Sequence, residues 1–391
     1  MKVVLVLGEA PYPFGNAAAR WYYVLLRGLV ARGHEVVAFA RSSHPEEARA
    51  AAELFPSTNY HMQTYPVITS RGIRSKFKTL RRPFSYLFSD SMRRDVAAEL
   101  ARGFDVLHLE DLWSGWLGLD HVDRSVLNIH YLFGIDLAGP AGARAMTPIR
   151  RAIITRAERR MLRRYPNVIT LTGRLATELA AIHPEGRFDI VPLGLDSSLY
   201  PFDPRPTPAR RPTIGLIGTF TWQPTFVAAE RLLTKLWPEI SRQVPAARIQ
   251  AVGRNAATAL APFANTPGLE IHSDVPDSIP YFRSTDVLLY APPQGSGMKV
   301  KIIEAFALGT PVVTNAEGVE GLPAEDGVHA GIADDDEGLI ARAVALLRDA
   351  DRRHAQRLAA RELVETVCGP GPTVDAIEAI HARIAGGTSR R

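Results

Sequence analysis

The stretch Pro292-Pro-Gln-Gly-Ser-Gly-Met-Lys-Val-Lys-Ile-Ile-Glu-Ala-Phe-Ala-Leu-Gly-Thr-Pro-Val-Val313 decides how the chain folds. It follows an apolar run, Asp286 to Tyr290, that reads as a strand. A glycine-containing loop comes next. Val300 to Leu308 then has the length and composition of a buried helix, Gly309 stops it, and Thr310 to Thr314 is a second strand. Strand, loop, helix and strand in this order form a right-handed crossover in a parallel sheet. Gly295 and Gly297 let the backbone approach a ligand closely, and the amides at the start of the helix can hold an anion. Lys299 and Lys301 stand at that start, where a cation opposes the helix dipole. A phosphate group between them resolves the conflict. Glu304 lies one helical turn beyond Lys301, on the same face, placed to accept hydrogen bonds from ribose hydroxyls.

The same alternation extends in both directions. Toward the N-terminus, Thr213 to Ile217 and Arg248 to Val252 are strands, with Phe226 to Val244 a helix interrupted near Pro238. Residues 201–212, with five prolines, read as a linker. Before the linker, Val3 to Leu7 is an apolar strand, Gly8 to Asn16 a Gly/Pro-rich loop, Ala17 to Arg32 a helix and Glu35 to Ala40 a strand. Asp105 to Leu109, Ser125 to Ile129, Val168 to Leu171 and Phe188 to Val191 continue the series. After Gly369 one more helix is expected, about Val374 to Ile384. The expected fold class is therefore α/β, with two doubly wound, Rossmann-like domains facing across a cleft: residues 1–200, the linker 201–212, residues 213–370, and a C-terminal helix and tail at 371–391.

Composition narrows the function. The 391 residues are 46% hydrophobic and 22% charged, which excludes a disordered or fibrous chain. One cysteine, Cys368, excludes an internal disulfide or a four-cysteine zinc site. No apolar run approaches the length of a membrane span, and the apolar start is too short for a signal peptide, so a cytoplasmic protein is expected. The net charge of +5 is uneven: residues 1–200 hold 26 Lys/Arg against 19 Asp/Glu, and the rest hold 20 against 22. The excess lies in Arg71–Arg94 and Arg144–Arg174 and points to an anionic partner or a solvated surface. Arg71–Arg94 also carries Ile73, Phe77, Leu80, Phe84, Leu87 and Phe88, several at helical intervals, which suits peripheral contact with the inner face of a membrane. No Gly-x-Gly-x-x-Gly follows the first strand, which disfavours a nicotinamide dehydrogenase, and no nucleic-acid module is recognisable.

With these residues in view, the chain resembles the GT-B glycosyltransferases, and among them the retaining group called glycosyltransferase family 4. The resemblance rests on Gly295-Ser-Gly-Met-Lys-Val-Lys-Ile-Ile-Glu304 and the residues to Val313, on Gly318-Val-Glu-Gly321, Gly218-Thr-Phe-Thr-Trp-Gln-Pro224, Val252-Gly253, Val191-Pro-Leu-Gly-Leu-Asp196 and Arg32-Gly-His-Glu-Val36. It implies a metal-independent hexosyltransferase that uses a nucleoside diphosphate sugar as co-substrate, a UDP-sugar being favoured over a GDP-sugar, with no other cofactor. A sugar, lipid-linked or small-molecule acceptor is implied as the partner. Lys299 and Lys301 would hold the diphosphate and Glu304 the ribose, with Thr219, Gly295, Ser296, Gly297 and Met298 lining the donor. Gly15 and Asn16 would lie beside the pyrophosphate or sugar, and Val275 and Pro276 beside the base. His130, at a strand's carboxyl end, would lie near the transferred sugar and acceptor. Glu110 and Asp111 are acidic candidates for acceptor binding, or loop caps. Trp113, Trp116, Tyr131 and Phe133 suit either the core or stacking on a sugar face.

Two departures from the family pattern stand out. Ser296 occupies the position where members often carry the first Glu of Glu-x7-Glu. The loop Thr219 to Thr225 lacks the usual Arg and Lys, and Lys299 adds a charge nearby. A nucleotide-sugar epimerase and a non-catalytic scaffold of the same fold are the alternatives. Asp334-Asp-Asp-Glu337 reads as a loop and helix cap rather than a metal site.

Overall fold

The structure, a computed structural model, describes residues 1–14, 16–68, 82–132, 134, 148–205, 211–295 and 297–388. Gly15, Phe133 and Ser296 lie outside the described residues, as do residues 71–81 of the first basic stretch and 144–147 of the second. The chain divides into two compact units, Met1–Leu195 with Pro370–Arg391, and Asp196–Gly369.

In the first unit the strands are β1 (Lys2–Val6), β2 (Glu35–Ser42), β3 (Tyr60–Pro66), β4 (Val106–Glu110), β5 (Ser125–Ile129), β6 (Asn167–Thr170) and β7 (Arg187–Ile190). All pair in parallel, in the order 3-2-1-4-5-6-7. Its helices are α1 (Ala17–Ala31), α2 (Pro45–Ala52), α3 (Asp90–Ala101), α4 (Pro148–Leu162) and α5 (Gly173–Ile182). β1, β4 and β5 are covered on both faces, which is why they read as unbroken apolar runs. α1 buries Trp21, Tyr22, Leu25, Leu26 and Leu29. The strand order reverses between β1 and β4, so the loops after those strands open on the switch point where such sheets bind ligands.

The second unit repeats the plan with β8 (Thr213–Ile217), β9 (Arg248–Gly253), β10 (Leu269–Ser273), β11 (Val287–Tyr290), β12 (Val312–Thr314) and β13 (Gly331–Ile332), all parallel, in the order 10-9-8-11-12-13. Its switch point lies between β8 and β11. The helices are α6 (Gln223–Arg231), α7 (Trp237–Gln243), α8 (Ala256–Ala259), α9 (Ile279–Ser284), α10 (Val300–Leu308), α11 (Asp336–Arg348) and α12 (Ala350–Val367). α6 and α7 are one helix joined through a π-helical turn at Leu232–Leu236. Pro238 has no N–H and its ring would strike the preceding turn, so the helix widens there instead of breaking.

The last helix, α13 (Pro370–Thr388), is longer than the sequence suggested and belongs to the first unit. It lies against α1 at a glycine. A Cβ on Gly28 would fall 2.1 Å from Val374 Cγ2. Arg32 pairs with Asp375 and Glu378 at 2.5 Å each, and His34 Nε2 sits 2.7 Å from Glu378. Gly28→Ala should lower stability by about 1–3 kcal/mol, despite alanine's better helix propensity, because the two helices must separate. A urea midpoint measures the loss, and a gain in stability would contradict this packing.

The aromatic and apolar residues of the first unit divide differently from expectation. Phe88 and Trp113 are core, and Phe84, Leu87 and Trp116 pack against it, with the Phe84 and Trp113 rings 4.8 Å apart. These described residues therefore do not form the outward apolar face expected of Arg71–Arg94. Tyr131 stays 42% exposed. Asp335 caps α11 by accepting from Gly338 N at 2.6 Å, and Asp336 pairs with Arg231 at 2.6 Å.

Candidate active site

In the second unit the donor-side residues gather at the carboxyl ends of β8 and β11. Lys299 is the N-cap of α10, so Lys301 points from its first turn, where the amides have no helical acceptor. The Lys301 ammonium donates to Thr225 Oγ1 at 2.8 Å and lies 3.9 Å above the centre of the Tyr290 ring. Gly218 faces it so closely that a Cβ there would fall 2.5 Å from Nζ. Burial pulls its pKa down to about 7, against the opposing pull of Glu304, and Lys299 adds to the lowering. Lys301 is thus a half-buried amine whose surroundings favour its neutral form, a balance that a nearby anion would shift. Lys299 Nζ donates to Gly297 O at 2.6 Å, and Gly297 has a φ of 84°, which favours glycine. Gly295 N donates to Glu317 Oε2 at 3.3 Å. Met298 is buried and Glu304 half-buried. The exposed Thr219 lies in the loop after β8, whose Gly218 N and Phe220 N donate to Val252 O and Arg254 O. Val275 and Pro276 follow β10, the first half-buried and the second exposed. Thr225 and Tyr290, which hold the lysine, escaped the sequence reading. Thr225 was legible only as part of a cation-free loop, and Tyr290 only as a strand residue.

In the first unit Asn16 is the N-cap of α1. Its Oδ1 accepts from Ala18 N and Ala19 N at 2.9 and 3.1 Å, and its Nδ2 donates to Glu9 at 2.8 Å. Asp111, at the end of β4, caps the following 3-10 turn Leu112–Leu117 through Trp113 N and Ser114 N, with a φ of 66°. Burial raises its pKa, against the pull of Arg41 and those two amides. Asp111 thus caps the turn, and it also lines the recess beside His130.

Glu110, at the end of β4, is fully enclosed, and its contacts run to side chains of the same unit. Trp21 Nε1 donates to Oε1 at 2.7 Å, Asn128 Nδ2 to Oε2 at 3.1 Å, and His130 Nε2 lies 2.6 Å from Oε2. Burial alone would raise its pKa, yet His108 and His130 hold it well below the usual carboxylate range. His130 keeps 11% of its side-chain surface and stands edge-on to the rings of Trp21 and Tyr22. With Asp111, Tyr131 and Trp113 it lines a small recess. Trp21, Asn128 and His108 escaped the sequence reading as members of this cluster, since each also suits the core.

Two parallel sheets of this order, each with polar groups at its switch point, define a GT-B fold. The description "Glycosyltransferase Family 4" matches residues 18–199 and "Glycosyl transferases group 1" matches residues 211–349. The chain is a GT-B glycosyltransferase, an enzyme of nucleotide-sugar transfer, and belongs to the family 4 group. No curated protein sequence matches it. Among solved structures it is similar to a sucrose-phosphate synthase from Thermosynechococcus elongatus, with 17% identity, TM-score 0.70, and coverage of 100% of this chain and 98% of that one. It is also similar to HepE from Anabaena in complex with UDP-glucose, with 14% identity, TM-score 0.64 and all of both chains covered. A third is a mutant of TarM from S. aureus in complex with Fondaparinux, alpha-GlcNAc-glycerol and UDP, at 9% identity and TM-score 0.67, covering 97% of this chain and 100% of that one. At these identities the likeness is one of fold.

Proposed function

We propose that the enzyme transfers a hexose with retention of configuration from a nucleoside diphosphate sugar, a UDP-sugar by preference, to a hydroxyl acceptor, without a metal on the diphosphate. The half-buried Lys301 ammonium carries this reading. It stands at the start of α10, beside Thr225, Tyr290 and Gly218. A diphosphate placed against Lys301, Lys299 and the α10 amides gains charge-assisted hydrogen bonds. As the sugar leaves, negative charge grows on the diphosphate, and fixed cations and amides stabilise it without reorganising. Glu304 takes the ribose, and His130 faces the sugar or acceptor. The leaving phosphate, close to the acceptor hydroxyl on the same sugar face, accepts its proton. HepE and TarM, solved with UDP-glucose and UDP, support the choice of base.

A panel of nucleoside diphosphate sugars tested by thermal shift in the presence of EDTA checks this. A donor at 100 times its dissociation constant should stabilise the protein by about 2.7 kcal/mol. Stabilisation only after adding a divalent cation would contradict metal independence. Proton NMR of the product's anomeric centre decides between retention and inversion.

The acceptor, or the surface that carries it, is proposed to be anionic. α4 and the residues after it expose Arg150, Arg156, Arg159, Arg160, Arg163 and Arg164, and Ile149 at its start is 75% exposed. Among the described residues no helix is long and apolar enough to cross a membrane. Basic residues near an anionic leaflet contribute about 1 kcal/mol each, screened by salt. Peripheral binding predicts sedimentation with anionic vesicles at low salt and release at high salt. Protein that stays in the supernatant at low salt assigns the basic surface to a soluble anionic acceptor.

A further inference from the structure

The cluster around Glu110 extends inward past the site. His108 lies two residues before Glu110 on β4, and its Nε2 sits 3.0 Å from Glu110 Oε1, too poorly aligned to be a full hydrogen bond. On its other side His108 Nδ1 is 2.8 Å from Nε2 of His381 on α13. His108 and His381 are both fully buried. Burial holds His381 well below its ordinary pKa, reinforced by His108, so it is neutral near pH 7. Four side chains, His381, His108, Glu110 and His130, thus run in line from the C-terminal helix to the recess beside Tyr131.

A buried chain of this kind has few consistent proton arrangements. An ionised carboxylate only accepts, so the His130 nitrogen that touches it must carry hydrogen. His130 Nδ1 has no hydrogen-bond partner among the described residues. Trp21 and Asn128 donate to the same carboxylate and hold it in place. The other titratable groups near the ring are Asp111 at the end of β4, Tyr22 on α1 and Glu158 on α4.

We infer that Glu110 is a positioning residue, anchored by Trp21 and Asn128 and backed by the His108–His381 pair, which fixes the His130 ring in the Nε2–H tautomer with Nδ1 turned toward the substrate. The C-terminal helix thereby serves the site as well as the packing of α1, because it supplies the last member of the chain. A ring fixed in this way offers a substrate hydroxyl one defined acceptor while it is neutral. It needs no reorientation when the sugar arrives. The value of that ring to transfer rests on the proposed function. The tautomer does not.

The test is a long-range proton–nitrogen NMR spectrum of the full chain labelled with 15N-histidine, with the His130 signals identified by their loss in His130→Gln. In its neutral form His130 is expected to show a protonated Nε2 and an unprotonated Nδ1. Glu110→Gln should draw the two 15N shifts together, as the tautomers mix. A wild-type spectrum with the proton on Nδ1, or with both tautomers, overturns the inference even if Glu110→Gln does not fold. So does a folded Glu110→Gln whose His130 signals are unmoved. A separate assay of donor turnover in His130→Gln keeps the two claims apart. Full turnover there would sink the substrate-facing role of His130 and leave the tautomer result standing.

Discussion

Lys301→Met is expected to weaken nucleoside diphosphate binding by about 10- to 150-fold, the loss of one charge-assisted contact of about 1.5–3 kcal/mol. Met keeps an apolar chain over the Tyr290 ring, so the change isolates the charge. The same variant should not lose stability below neutral pH. A lysine whose folded pKa has fallen from 10.5 to about 7 keeps its charge below pH 7 at the expense of the folded state. Between about 7 and the unfolded value the unfolded chain binds the extra proton, so this group makes stability rise with pH. The wild type should show that rise and Lys301→Met should lack it. Equal affinity for UDP and GDP in variant and wild type would remove Lys301 from the donor site.

Gly253→Ala should destabilise the protein by about 3 kcal/mol or more, through backbone strain and overlap together. Gly253 ends β9 with a φ of 139°, and a Cβ there would fall 1.9 Å from the carbonyl oxygen of Gly218. The obstacle is backbone, and the neighbouring loop is tied by hydrogen bonds from Gly218 N to Val252 O and from Phe220 N to Arg254 O. Gly103 is the internal control. Its φ is 97° but nothing lies within 4 Å of its Cβ position, so alanine there carries only the conformational cost of about 1–2 kcal/mol. Urea unfolding of both variants tests the difference. Equal losses would show that the Gly218–Gly253 approach is not rigid.

The strands that position the site were legible because they are buried on both faces, and their apolar runs need no periodicity to be seen. β3 gives no such signal, since Tyr60-His-Met-Gln-Thr-Tyr-Pro66 is an edge strand with exposed polar positions. β13, two residues long, gives no pattern. The lysines and Glu304 were legible because one turn of one helix carries them all. The partners of Lys301 and Glu110 were not. Thr225 stands 76 residues from Lys301, and His381 stands 273 residues from His108. Periodicity reports the neighbours within an element, whereas these contacts exist only once the sheet order brings separate loops and the last helix together.

The most direct measurement is a calorimetric titration of the protein with UDP and with GDP at pH 6 and pH 8, each in two buffers of different ionisation enthalpy. Lys301 is mostly neutral at pH 8 in the free protein, given a pKa of about 7. A diphosphate seated on it should restore its charge. At least one nucleotide should bind with uptake of up to about one proton at pH 8, and Lys301→Met should lose that uptake. Absence of binding by both nucleotides, or binding at pH 8 with no proton uptake, would contradict a diphosphate seated on Lys301.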